Sequence, residues 1–545
     1  MSSELSPGGP SGELSHSLEQ PATSPEDTDQ APLITDDAEN VEGDDDSERD
    51  IVIISYDSDS DDDTANPDTP RRQGSISSAR FNILSTMVGG GCLSLPLAFQ
   101  QSGNGLVGPL LLILVGCLSD FCFRLLVASG EVLSPPHIRR PGSHSFESIT
   151  AAAFGPKAYV MSMGLVTLMC FFGAVGYAVL LRDMMEPIND SLSIANSVKS
   201  AWLHQNFTMF SVILAVTPLC TLQTLTALKS AGALSMTSIL ILGTCIVIRS
   251  FQCNWNAPHP WYTYVTFLPE SPRMVLDAVP LYISCFVCHY NILPVHNELQ
   301  RPTKARVSWW LRSTTWFAGI LYLVMGFAGS SYGHCTESGH VQGNVLLDFD
   351  ENDPLLLVGR MCLAVTITLA FPMLVIPARD ILLRSVILPY LTKKRQEALA
   401  RPEEAEAHAD DPPPVNQTIS EELEEPLLEE GRNNDGEEAS TEDSDDSSVK
   451  ASFLLRLGVS MVIFWVAGGV AACVESIDIV WDLLGSSLSI LLSYLIPCGS
   501  YLVLTKNQAM ATQHKWSRLL CWILIGVFVP LMFISTGNAI LNTFF

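Results

Sequence analysis

The stretch Phe81–Gly103, FNILSTMVGGGCLSLPLAFQQSG, is long and apolar enough to cross a bilayer, yet three consecutive glycines, Gly89, Gly90 and Gly91, sit at its centre. Glycine costs about 1 kcal/mol relative to alanine inside a helix, so regular helix is weakest there. Pro96 weakens the second half, and Ser85, Thr86 and Ser94 place hydroxyls around the glycines. Hydrocarbon tolerates unpaired backbone only where it is buried in protein or lines a cavity. A spanning helix broken at mid-membrane is therefore a candidate binding site, whose exposed N–H groups hold a carboxylate and whose exposed carbonyls hold a cation. The alternative is a tight helix–helix contact through small residues.

Charge looks at odds with a membrane protein until it is located. The chain of 545 residues has a net charge of −28 and is 47% hydrophobic. Residues 1–80 hold 21 acidic and 4 basic side chains, and residues 396–449 hold 19 and 2. These two segments carry more than the whole negative charge, which leaves the apolar remainder basic. Their composition predicts disorder. The domain organisation expected is a disordered acidic cytosolic tail over 1–78, helices 1–8 over 79–395, a disordered acidic cytosolic insert over 396–449, and helices 9–11 over 450–545. Asp29 to Ile34, DQAPLI, fits an acidic dileucine pattern of the kind read by sorting adaptors. The N-terminus has neither the basic nor the apolar region of a cleavable signal peptide.

Eleven apolar runs reach spanning length: 79–101, 105–129, 157–181, 206–226, 231–251, 277–299, 308–330, 354–377, 451–473, 481–505 and 517–540. Lys and Arg cluster in alternate loops, whereas 331–353 and 474–480 contain none. By the positive-inside rule the N-terminus is cytosolic and the C-terminus extracellular or lumenal. Asn189 and Asn206 then head glycosylation sequons on the outer side. Cys253 and Cys335 are the cysteines clearly in outer loops, either as one disulfide or as two free thiols.

Span six, VLDAVPLYISCFVCHYNILPVHNEL, holds Pro280, Pro294 and a polar cluster of His289, Tyr290 and Asn291 where a lipid-facing helix would be apolar. Polar groups at that depth face a cavity or the bundle interior. Its C-x-x-C-H pattern is not a haem site, because it lies mid-span, and no second ligand pair supports zinc. Spans one and six are both interrupted and stand five apart. That spacing predicts an all-α membrane protein with a 5+5 inverted-repeat core, broken helices 1 and 6, and one appended helix. Asp120 and Arg124, at i, i+4 in span two, are either a coupling carboxylate with its arginine or a structural pair. Arg360 in span eight reads as a snorkelling side chain near the outer mouth.

FNILSTMVGGGCLSLPLAFQQSG resembles the first helix of the amino acid/auxin permease family, which includes sodium-coupled neutral amino acid transporters and vacuolar amino acid transporters. FVCHYNILPVHNELQRPT resembles its sixth helix and the following loop, and TITLAFPMLVIPARD (366–380) its eighth helix. The resemblance implies a secondary active transporter of neutral amino acids, coupled to H⁺ or Na⁺, with no other cofactor. It places the substrate at Gly89, Gly90 and Gly91, with Ser85, Thr86, Cys288, His289 and Asn291 nearby. It points to Ser85, Gly89, Thr366, Thr368 and Asp120 for ion coupling. Ser85 stands where Na⁺-coupled relatives carry an asparagine, and the dileucine pattern suits a vacuolar or lysosomal membrane, so proton drive is the expectation. The partners expected are the amino acid, membrane lipid and a sorting adaptor at Asp29–Ile34, with no nucleic acid and a monomeric chain. An amino-acid sensor on the same fold, signalling through its tail, is the other reading. An enzyme is not expected.

Overall fold

Backbone that cannot reach water must pair within its own segment, so apolar runs of this length fold as helices. The computed structural model describes residues 74–133, 145–192, 201–218, 229–258, 261–300, 302–351, 353–394, 428–429, 450–451, 453–474, 476–506 and 515–544. All of them belong to the unit that begins at Pro67. Asp29–Ile34 and most of the 396–449 insert lie outside the described residues. β1 (Leu428–Glu429), inside the insert, pairs antiparallel with β2 (Lys450–Ala451), just past its end.

The helices are α1 (Ile76–Met87), α2 (Leu95–Ser102), α3 (Val107–Leu133), α4 (Phe146–Phe154), α5 (Pro156–Leu192), α6 (Ala201–Val216), α7 (Lys229–Asn256), α8 (Pro272–Cys285), α9 (His289–Glu298), α10 (Lys304–Tyr332), α11 (Pro354–Leu382), α12 (Phe453–Ala471), α13 (Ile477–Leu484), α14 (Ile496–Leu504) and α15 (Lys515–Phe544). Among the described residues, eight are long and apolar enough to cross a membrane, counting α8–α9 and α13–α14 as one each. The α1–α2 unit, α6 and α10 occupy the places of the other three expected spans. α1 starts three residues before the expected start at 79, because the Ser75 hydroxyl caps it by accepting the Ser78 N–H at 3.2 Å. Ser271 caps α8 and Thr303 caps α10 in the same way. Asp353 caps α11 through the Leu355 N–H and also holds Arg249 of α7 at 2.5 Å.

α11 packs on α5 and α7, α10 on α2, α3 and α7, and α2 on α8. Trp310, Tyr282, Tyr322, Tyr494, Phe99 and Phe286 are fully enclosed. The opposite surface is apolar: Trp516, Trp522, Ile534 and Phe533 of α15 are exposed, as a lipid-facing helix requires. Arg360 departs from the snorkelling expected of it. It is 1% exposed, and its guanidinium donates to the carbonyls of Leu346, Phe349 and Glu351, pinning the loop before α11. Between α13 and α14 the chain winds as two π segments, Gly485–Ser489 and Leu491–Leu495. The Ser486 carbonyl there accepts the Thr536 hydroxyl of α15 at 3.0 Å.

Candidate functional site

α1 stops at Met87. The Val88 N–H still reaches the Leu84 carbonyl at 2.7 Å, but the Gly89 N–H folds back to Met87 O at 3.0 Å. A 3₁₀ turn over Gly90–Leu93 follows, and α2 begins at Leu95. The glycines are dictated by what approaches them. A Cβ on Gly89 would land on the hydroxyl of Tyr177, and one on Gly90 on a δ-methyl of Leu180, both from α5. At Gly91 the nearest atom would be Cys285 Sγ at 3.6 Å, an ordinary contact. The hydroxyls of Ser85 and Thr86 both donate to the Asn82 carbonyl, at 3.0 and 2.9 Å.

The second break lies between Cys285 and His289, where α8 ends and α9 begins. Phe286, Val287 and Cys288 bridge it, and all three are buried. The Asn291 N–H closes the first turn of α9 on Cys288 O at 2.9 Å. His289 is 0% exposed, and neither ring nitrogen has a hydrogen-bond partner among the described residues. Its ring lies 4.4 Å from that of Phe123 and 6.2 Å from that of Tyr494.

The two breaks meet. Asn291 Nδ2 lies 3.5 Å from Thr86 Oγ1, and Cys285 Sγ donates to Gly91 O at 3.3 Å. Tyr322 of α10 places its hydroxyl 2.8 Å from both Met87 O and Cys285 O. Tyr177 stands against Phe371 and Trp481, with ring centroids at 5.9 and 6.2 Å, and forms an aromatic wall beside Gly89. Opposite ends of helix dipoles thus converge: the negative C-terminal ends of α1 and α8, and the positive N-terminal ends of α2 and α9. A zwitterion suits that pairing, with its ammonium toward the carbonyl ends and its carboxylate toward the N–H ends.

Other predicted residues lie elsewhere. Thr366 is buried in α11, with its hydroxyl 3.0 Å from Cys362 O and 3.3 Å from Ser235 O of α7. Thr368 is half-buried on the same helix. Asp120 pairs with Arg124 and edges a groove of about 440 Å³ between α3 and α10, beside Arg312 and Phe286, rather than joining the paired glycine and His289 turns. Cys253 and Cys335 are joined in a disulfide, with His334 Nε2 3.5 Å from Cys253 Sγ. Asn206 lies inside α6 at 1% exposure. Asn189 lies in the last turns of α5. Asn82, Tyr177, Tyr322 and Trp481 were not anticipated. Asn82 Oδ1 and Trp481 Nε1 are buried without a partner among the described residues, and polar atoms within apolar runs were the signal available.

The sequence profile described as "Transmembrane amino acid transporter protein" matches residues 72–541, most of the chain. The chain belongs to this family. Among its relatives, the "Putative sodium-coupled neutral amino acid transporter 11" of Danio rerio is 25% identical over 308 residues, 56% of this chain and 65% of the relative. The matched part therefore spans a little under two thirds of that relative's length. The "Vacuolar amino acid transporter 5" of Schizosaccharomyces pombe is 24% identical over 315 residues, 57% of this chain and 70% of the relative. In fold, this member of the transmembrane amino acid transporter family is similar to the crystal structure of MhsT in complex with L-phenylalanine. The TM-score is 0.50 at 9% identity, over 86% of this chain and 100% of that one.

Proposed function

We propose that this chain is a secondary active transporter that carries neutral amino acids by alternating access, as a carrier rather than an enzyme. The observation that carries the reading is the meeting of two interrupted helices, sealed by Asn291 against Thr86, where four helix ends offer complementary dipoles to a zwitterion. Eleven spans in a 5+5 repeat plus one, with a cytosolic N-terminus and a lumenal or extracellular C-terminus, account for the alternation of basic loops. A vacuolar or lysosomal membrane fits both the dileucine pattern and the name of the fission-yeast relative. Asn189 is the proposed glycan acceptor.

Proton drive is the coupling we favour. The reading rests on Ser85 standing where sodium-coupled relatives carry an asparagine and on the acidic lumen that the dileucine pattern suits, and His289 is the imidazole at the second break. Asp120, held by Arg124 away from that point, is second in line. The test is uptake across an amino-acid panel by the full chain in liposomes, with pH and Na⁺ gradients imposed separately. Flux with a pH gradient and no sodium is expected. Flux that needs sodium at uniform pH overturns the proton reading, and no saturable flux under either gradient overturns transport.

A further inference from the structure

The last carbonyls of a helix have no partner within it, and the negative end of the dipole adds to their charge. At the first break that end includes Met87 O, and at the second Cys285 O. The two oxygens belong to helices far apart in sequence, yet each lies 2.8 Å from the same atom, the Tyr322 hydroxyl oxygen. Tyr322 is 0% exposed, and the ring of Phe286 meets its ring edge-on at 5.3 Å. A phenol has a single O–H to donate. Met87 O also accepts the Gly89 N–H at 3.0 Å, so among the described residues the tyrosine's single O–H is the one side-chain donor between two electron-rich helix ends in a place closed to water. Converging C-terminal carbonyls at broken helices are also what a bare monovalent cation binds in a membrane.

We propose that Tyr322 fills a cation site with its hydroxyl proton, and so keeps Na⁺ out of the junction between the two breaks. Tyr322 is a specificity-determining residue by this argument. It presents a permanent donor to the carbonyls of α1 and α8 and holds the two half-helices at one point. A shorter side chain would leave both carbonyls converging on an open space that a hard cation can enter, with its remaining oxygen ligands supplied by water or by a residual hydroxyl. The role in coupling rests on the transport reading, but the binding itself does not.

The experiment compares full-length wild type with Tyr322→Thr, which keeps an oxygen, and Tyr322→Phe, which removes it. Unfolding midpoints are measured in sodium chloride and in choline chloride at equal concentration. We expect both variants to gain a sodium-specific rise of about 3 °C or more over any shift that wild type shows, larger for Tyr322→Thr. If the variants fold poorly in choline, sodium should restore the folded fraction. Sodium shifts equal to that of wild type, or equal loss of folding in both salts, would overturn the proposal. Wild-type uptake of a neutral amino-acid mixture is scored separately. Sodium-specific stabilisation of the variants without wild-type flux would sink the transport reading and leave the site standing.

Discussion

Between Met87 and Leu95 the chain leaves the helix through Val88 and three glycines. Between Cys285 and His289 it does so through Phe286, Val287 and Cys288, with no glycine at all. The first break is shaped from outside, because Tyr177 and Leu180 of α5 fill the space that side chains at 89 and 90 would need. The second is shaped from within, and its own side chains line the interior: Phe286 against Tyr322, and His289 against Phe123. One break therefore offers backbone to a ligand, and the other offers side chains. If the two share a substrate, the first recognises what all amino acids have in common and the second reads what differs. We hold that division of labour as a hypothesis, and four measurements bear on it.

The largest effect belongs to the glycine series. Overpacking a closed site costs about 1–3 kcal/mol, so Gly89→Ala should cut uptake more than about tenfold. Gly90→Ala should lose less, because it meets only the tip of a flexible side chain, and Leu180→Ala should restore it. Gly91→Ala should stay near wild type. Equal loss at all three positions, measured per correctly inserted molecule, would remove α5 as the cause.

Next comes His289→Leu. Deleting two unpartnered buried nitrogens should leave stability unchanged or raise it by about 1 kcal/mol, while uptake falls several-fold and loses its pH profile. A destabilised protein with full uptake per folded molecule would return His289 to a purely structural role. The link between the breaks is weaker. Thr86→Val and Asn291→Ala in a double-mutant cycle should show a coupling of about 0.5–1 kcal/mol on uptake, and strictly additive losses would say that the 3.5 Å contact does not join the two halves.

The smallest effect serves as a control outside both breaks. Burial pushes the Asp348 carboxyl up to about 6, against the opposing bonds from Gln342. A raised carboxyl contributes stability that is complete below the unfolded value of about 3.9 and is lost as pH rises through about 6. The loop before α11 should thus be tighter in an acidic compartment. The gain from about pH 7 down to about pH 5 should be 1 kcal/mol or less after allowance for solvent screening, and absent in Asp348→Asn. An unchanged pH dependence of the unfolding midpoint in Asp348→Asn would assign the effect elsewhere.

Much of the frame was legible in the chain. Glycine in an apolar run is costly without a reason, so Gly89–Gly91 announced a break, and polar residues at the depth of His289 and Asn291 announced another. Their neighbours were not legible. Tyr177 and Tyr322 sit in long apolar helices, where a tyrosine reads as ordinary core, and only the crossing of α5 and α10 over the breaks gives their hydroxyls a task. Arg360 misled for a related reason. Its partners are carbonyls of a loop that no periodicity encodes, so the sequence offered a charge and hid its satisfaction. Asn206 matched a sequon, but a three-residue pattern carries no information about burial.

The span from Ile477 to Leu504 has a property that neither broken helix shares. A turn closed by i→i+5 bonds holds one more residue than an α turn, and two such segments follow one another here. The span therefore stores spare chain between its contact with Pro280 at Gly485 and the stacked rings of Tyr494 and Phe528. Rewinding those turns as α-helix would pay the spare chain out as length along the axis, with the backbone still paired inside the helix except at the carbonyl that would face Pro497. The broken helices change direction at a fixed point, whereas in this span a rewinding of the π turns would change its length rather than its direction.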